Sequence, residues 1–131
     1  MFTKEQIESL HSKVKSGADF PRLIQDLKAI GVKSYEHFVA DNSNIYYGEN
    51  NHMVRISYGV LKVAISENPS AEKLKKFLSI HQQGETDYPT FCIQAAEAGV
   101  EKWISDLNAM TVTYVDKSLK AFLVEKIPTK N

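Results

Sequence analysis

One cysteine, one tryptophan and two arginines in 131 residues leave little room for several kinds of chemistry. With Cys92 alone, neither an intrachain disulfide nor a cysteine-paired zinc site can form, and the chain fits a reducing, cytoplasmic compartment. Charge of one sign is also missing, since 16 Lys and Arg balance 16 Asp and Glu. A neutral chain has no overall field to draw in a polyanion, so neither nucleic acid nor an anionic membrane surface is expected as a partner. No run approaches the ~18 apolar residues of a membrane span. Met1-Phe2-Thr3-Lys4-Glu5 has no apolar stretch behind it, so no signal peptide is expected. There is no phosphate-binding loop, dinucleotide fingerprint, Gly-x-Ser-x-Gly elbow or His-Glu-x-x-His pair, so no cofactor and no metal is expected.

What is present is an ordinary globular composition, 43% hydrophobic and 24% charged, of a length suited to one domain. Thr3 and Gln6 form a capping box, and Ile7, Leu10, His11 and Val14 follow at helical spacing until Gly17. Asp19 reads as the cap of a second helix, with Pro21 in its first turn and Phe20, Leu23, Ile24, Leu27 and Ile30 on its apolar face. Gly31 suits a left-handed helix end. A strand from Lys33 to Ala40 points Tyr35, His37 and Val39 one way and Glu36 and Phe38 the other. Asp41 to Asn44 reads as a turn, Ile45 to Tyr47 as a strand, Glu49 to Asn51 as a turn and Met53 to Ile56 as a third strand. A connector around Ser57-Tyr58-Gly59 leads to an expected extra strand, Val60 to Ile65, with no counterpart in the second half.

The programme then repeats. Ser70 caps a helix carrying Leu74, Phe77, Leu78 and His81 up to Gly84. Asp87 caps another with Tyr88, Phe91, Cys92, Ala95 and Ala96 inside and Gly99 at its end. Strands follow at Trp103 to Leu107, Thr111 to Val115 and Ala121 to Val124, and Pro128 to Asn131 reads as a tail. Asp19, Pro21, Gly31 and Val32 recur as Asp87, Pro89, Gly99 and Val100, always 68 positions on. The first helices align at an offset of 67. Matches that fall on caps, helix ends and core aromatics, in order, are the mark of an internal repeat.

His81-Gln82-Gln83-Gly84, Asp87-Tyr88, Thr90-Phe91-Cys92, Ala95-Ala96 and Ala98 to Trp103 resemble a family of small bacterial proteins of uncharacterised function, some of them labelled phage envelope protein. The likeness extends to Lys13 to Gly17 and Glu125 to Pro128. It brings no catalytic or binding residues with it, and implies at most a prophage origin.

Candidate residues therefore come from the chain itself. His11 and His81 interrupt the apolar stripe of the two first helices, and in the repeat alignment they stand against Leu78 and Val14. If the halves pack about a pseudo-two-fold, both rings approach one groove. His37 lies on the Tyr35 strand face, where the twin strand has Ser105. Tyr46 and Tyr114 add aromatic surface for a ligand. Each histidine also has a plainer reading, as a half-buried ring bonded to a neighbour. His52 reads as exposed and Cys92 as a buried, inert thiol.

The expectation is an α+β domain of two helix–helix–β-meander units, about 3–57 and 70–127, joined by 58–69. The helices should cover one face of a mostly antiparallel sheet of six or seven strands. The core should hold Ile7, Leu10, Val14, Leu23, Leu27 and Tyr35, with Leu74, Phe77, Phe91, Ala95, Trp103 and Leu107. The expected function is a cytoplasmic module binding a small molecule or protein partner, as monomer or homodimer. The alternative is an enzyme of unrecognised type with a histidine-containing cleft between the units. Ligand candidates are His81, His37, His11, Tyr46 and Tyr114.

Overall fold

The computed structural model describes residues 1–15, 17–58 and 63–127. The chain opens with the reciprocal box expected of it: Thr3 N–H donates to Gln6 Oε1 at 2.8 Å, and Gln6 N–H donates to Thr3 Oγ1 at 3.2 Å. Helix α1 (Lys4–His11) is shorter than the apolar spacing suggests. It ends at His11, not Gly17, because Lys13 and Val14 bond three residues back and tighten the last turn. A 3-10 turn (Gly17–Asp19) runs directly into α2 (Phe20–Ala29). Asp19 thus has helical backbone and does not cap α2. Its Oδ2 accepts from Lys15 N–H at 2.9 Å instead. Gly31 (φ +103°) closes α2, and Val32 N–H donates to Leu27 O at 3.0 Å in the six-residue helix-end motif.

Strands β1 (Ser34–Phe38), β2 (Ser43–Tyr47) and β3 (Met53–Ser57) form a meander. Asn44 belongs to β2, not to a turn. Val63 to Ile65 are not strand, while Gly59 and Val60 to Lys62 of the expected connector and extra strand lie outside the described residues. Helices α3 (Ala71–Gln82) and α4 (Tyr88–Glu97) follow, capped by Ser70 and Asp87 as expected. A second meander comprises β4 (Lys102–Asp106), β5 (Thr111–Val115) and β6 (Ala121–Lys126). The tail from Pro128 to Asn131 also lies outside the described residues.

Among the described residues the six strands make one antiparallel sheet in the order β3-β2-β1-β4-β5-β6. The central seam pairs β1 with β4, Tyr35 opposite Ser105 and His37 opposite Trp103, with Glu36 opposite Ile104 at its middle. Among the described residues the fold is α+β, four α-helices with a six-stranded sheet. Strand alternation sends Tyr35, His37, Tyr46, Trp103 and Tyr114 to one face, where α1 and α4 side chains meet them. On the other face Lys102 Nζ donates to Glu36 Oε2 at 2.6 Å and Tyr47 Oη donates to Glu36 Oε1 at 2.6 Å. Of the expected core, Leu10, Val14 and Phe77 are only partly buried; the others named are buried.

Candidate functional site

The helix-facing side of the sheet carries more polar atoms than a plain core would. They form one connected chain. Tyr46, fully buried on β2, holds its Oη 2.8 Å from His11 Nε2 and 2.6 Å from Tyr58 Oη, and accepts from Asn44 Nδ2 at 2.8 Å. Three bonds exhaust a phenol's one hydrogen and two lone pairs. Asn44 Oδ1 in turn accepts from His37 Nδ1. His37 is sealed from solvent, stacked on Trp103 with ring centroids 4.2 Å apart, and has Cys92 Sγ 3.8 Å from Nε2. Tyr88 Oη lies 3.1 Å from His37 Nδ1. The Tyr88 ring is partly exposed, but its hydroxyl end reaches inward, and it is this end that is desolvated.

Burial sets the electrostatics. It pulls His11 and His37 down to about 4, so both rings are neutral near pH 7. It pushes the Tyr46 hydroxyl up, Tyr58 up to about 12 and the Cys92 thiol up to about 12. A thiol held protonated is not a nucleophile, which agrees with the inert reading of Cys92. Burial also lowers His81, against the opposing effect of its bond to Thr86.

Above this chain, between the two helix pairs and the sheet, lies a cavity of about 250 Å³. Leu23 of α2 and Leu78 of α3 face it from the helices; Tyr35, Trp103 and Tyr114 line it from the sheet. Polar groups are few and specific. His81 stacks on Phe91 at 4.6 Å, and its Nδ1 lies 3.1 Å from Thr86 O. A carbonyl only accepts, so Nδ1 carries the hydrogen and Nε2 of the neutral ring is an acceptor. Tyr114 and Trp103 are about 5% exposed, and their Oη and Nε1 make no hydrogen bond among the described residues. Lys15, Lys126, Gln82 and Glu125 complete the lining. Burial raises Glu125, opposed by Gln82 and Lys75.

Of the expected site residues, His11, His81 and Tyr114 line this cavity directly. Tyr46 and His37 lie in the hydrogen-bonded chain that reaches it through His11 and Asn44. His52 is not a plain exposed ring: its Nε2 is 2.7 Å from Phe2 O and its edge meets the Phe2 ring, far from the cavity. Sequence reasoning missed Asn44, whose Asp-Asn-Ser-Asn context reads as turn. The available signal was parity, since Asn44 stands two residues before Tyr46 on the same strand face. Lys15 and Glu125 were missed because nothing local marks a charged residue as facing a cavity. Among the described residues no group of three or more His, Cys, Asp or Glu side chains could hold a metal ion. No helix there is long and apolar enough to cross a membrane.

The chain is similar to the uncharacterized protein YcgX of Escherichia coli (strain K12), with 26% identity over 116 residues, covering 86% of this chain and 85% of that protein. Residues 8–126, which contain the six described strands, His11, His81 and all of the cavity lining except Ile127, match the family described as protein of unknown function (DUF1398), and the chain belongs to that family.

Proposed function

We propose that this protein is a cytoplasmic small-molecule-binding module whose ligand sits in the cavity between the two helix pairs. One observation carries the reading. A largely apolar chamber has Tyr114, Trp103 and His81 in its lining, and the Tyr114 hydroxyl, the Trp103 indole N–H and His81 Nε2 make no hydrogen bond among the described residues. Desolvated polar groups cost free energy unless something bonds them. A few placed polar groups in an aromatic wall are how small-molecule sites fix orientation.

The same proposal takes the chain as a single domain of two duplicated units, residues about 3–57 and 70–127. What supports it is the cavity's own lining, which comes in pairs at the repeat offsets: His11 with Leu78, Val14 with His81, Leu23 with Phe91, Tyr35 with Trp103. The seam is consistent, since Glu36 and Ile104, at its centre, are themselves 68 positions apart. Ligand space then arises on the axis between copies, and the histidines are where one copy departs from plain packing.

The test uses Trp103, the chain's only tryptophan and part of the cavity wall. A panel of one- and two-ring metabolite-like compounds should change its emission and raise the melting temperature, following RT ln(1 + [L]/Kd). Val112→Phe, which fills the cavity, should abolish both responses in a folded protein. Silence across the panel at millimolar concentration, or hits that survive Val112→Phe, would sink the proposal.

A second reading, an enzyme of unrecognised type, is favoured by one arrangement. His81 and Glu125 both line the chamber, and an imidazole with a carboxyl is a combination suited to proton transfer. It predicts that a bound compound is turned over and that His81→Ala keeps binding but stops conversion.

A further inference from the structure

The register of β6 decides which charge the cavity presents. Residues directly opposite in an antiparallel pair share a sheet face. Glu125 pairs with Val112, and Leu123 pairs with Tyr114. Val112 and Tyr114 both line the cavity, so the Glu125 side chain lies on the cavity face. Lys126, one residue on, sends its side chain to the other face and adds no charge to the chamber. Burial agrees, since Glu125 is partly buried while Val124 and Lys126 on either side of it are exposed. Gln82 of α3 bonds the Glu125 carboxyl, and Lys75 acts on it from an adjoining surface groove, outside the cavity lining. Glu125 forms no ion pair among the described residues. Lys15, the remaining charged residue of the lining, is exposed, where water screens its charge. The one partly buried charge on the chamber wall is therefore negative.

The rest of the lining favours the same kind of guest. Trp103, Tyr35, Tyr114 and Phe91 supply aromatic rings, whose faces attract a cation and whose area suits flat hydrocarbon. Among the atoms left without a hydrogen bond, His81 Nε2 only accepts and the Tyr114 hydroxyl accepts as readily as it donates. Size sets the limit on the body. A cavity of 150 Å³ accepts a benzene ring; about 250 Å³ has room for one or two fused rings with a short substituent. Resting on the ligand-binding reading, we infer that the occupant is a small aromatic amine bound as its ammonium cation: one or two rings lie among the aromatic side chains, and the N–H groups donate to the Glu125 carboxylate. Burial raises the Glu125 carboxyl, and a cation beside it favours the charged form, so ligand and carboxylate stabilise one another.

The experiment titrates 2-naphthylmethylamine, 2-naphthalenemethanol and 2-naphthoate into the protein by calorimetry at pH 7 and low salt. The three share their rings and differ in charge: cation, neutral and anion. A hydrogen bond to a charged group is worth about tenfold or more, so the amine should bind about tenfold tighter than the alcohol, and the acid weaker than either. Glu125→Gln keeps the side chain's size and should cut the amine's preference over the alcohol below about twofold. Lys15→Gln, which removes a like charge, should leave that preference standing or raise it. An unchanged melting temperature checks that Glu125→Gln is folded; if it is not, the order of the three compounds on the unaltered protein decides alone. Equal binding of amine and alcohol, tightest binding of the acid, or a preference that survives Glu125→Gln would overturn the cation assignment while leaving the ligand site standing. Binding of none of the three at millimolar concentration would overturn the assignment, and with a silent panel on Trp103 it would take the ligand-binding reading down too.

Discussion

At the scale of single residues, the desolvated rings of His11 and His37 are costly to protonate. Their folded pKa is depressed to about 4 by burial, whereas a ring in the unfolded chain titrates near 6.5. Above pH 6.5 both states hold the rings neutral and no penalty operates. As pH falls from 6.5 toward 4, the unfolded chain takes up protons that the folded protein refuses, so stability is lost across that window. The slope is about 1.4 kcal/mol per pH unit for each ring. Urea midpoints at pH 7, 5.5 and 4.5 should fall steadily, and His37→Asn should make the decline shallower. Glu125, raised by burial, works in the opposite direction below its folded pKa. A flat profile through this window would mean that the folded rings accept protons after all. The same network explains why single-residue chemistry was only half legible. His11, His81 and Tyr114 announced themselves by breaking or decorating an apolar pattern. Asn44 did not, because its sequence context reads as a turn and its partner His37 reaches it only through the pairing of β1 with β2.

At the scale of elements, helix ends carry the most local information. Gly31, Gly84 and Gly99 all take positive φ, as the helix-end reading requires. The two that end α2 and α4 differ in what surrounds them. A Cβ on Gly31 would meet only a Phe2 ring carbon at 3.9 Å, whereas one on Gly99 would come within 2.6 Å of Pro69 Cα, a backbone atom that cannot step aside. Gly31→Ala should therefore cost about 1 kcal/mol, the left-handed penalty alone. Gly99→Ala should cost clearly more, read by chemical denaturation; equal costs would show that the segment before α3 yields easily. Capping by Thr3, Ser70 and Asp87 was readable because each side chain answers a donor three residues away. The cap assigned to Asp19 failed for a reason outside that range. The 3-10 turn before it is fixed by tertiary packing against α3, and it hands α2 a helical residue at the capping position.

At the scale of the whole molecule, the sheet's pairing pattern has a kinetic consequence. Within each meander, hairpin partners lie 5 to 15 residues apart, while the β1–β4 seam joins residues 64 to 72 apart. Closing long loops costs entropy before any contact repays it, so the local hairpins zip first and the seam closes last. The cavity draws on both sides of that seam and does not exist until it has closed. A ligand bound there can stabilise only what is formed after the halves meet. Saturating ligand should slow the unfolding limb of the chevron in proportion to occupancy and leave the folding limb where it was. Stopped-flow traces in which ligand accelerates folding would place the chamber's assembly before the barrier. With the predicted order, the protein's lifetime in the folded state, and with it its resistance to forced or irreversible unfolding, becomes a readout of how much ligand surrounds it.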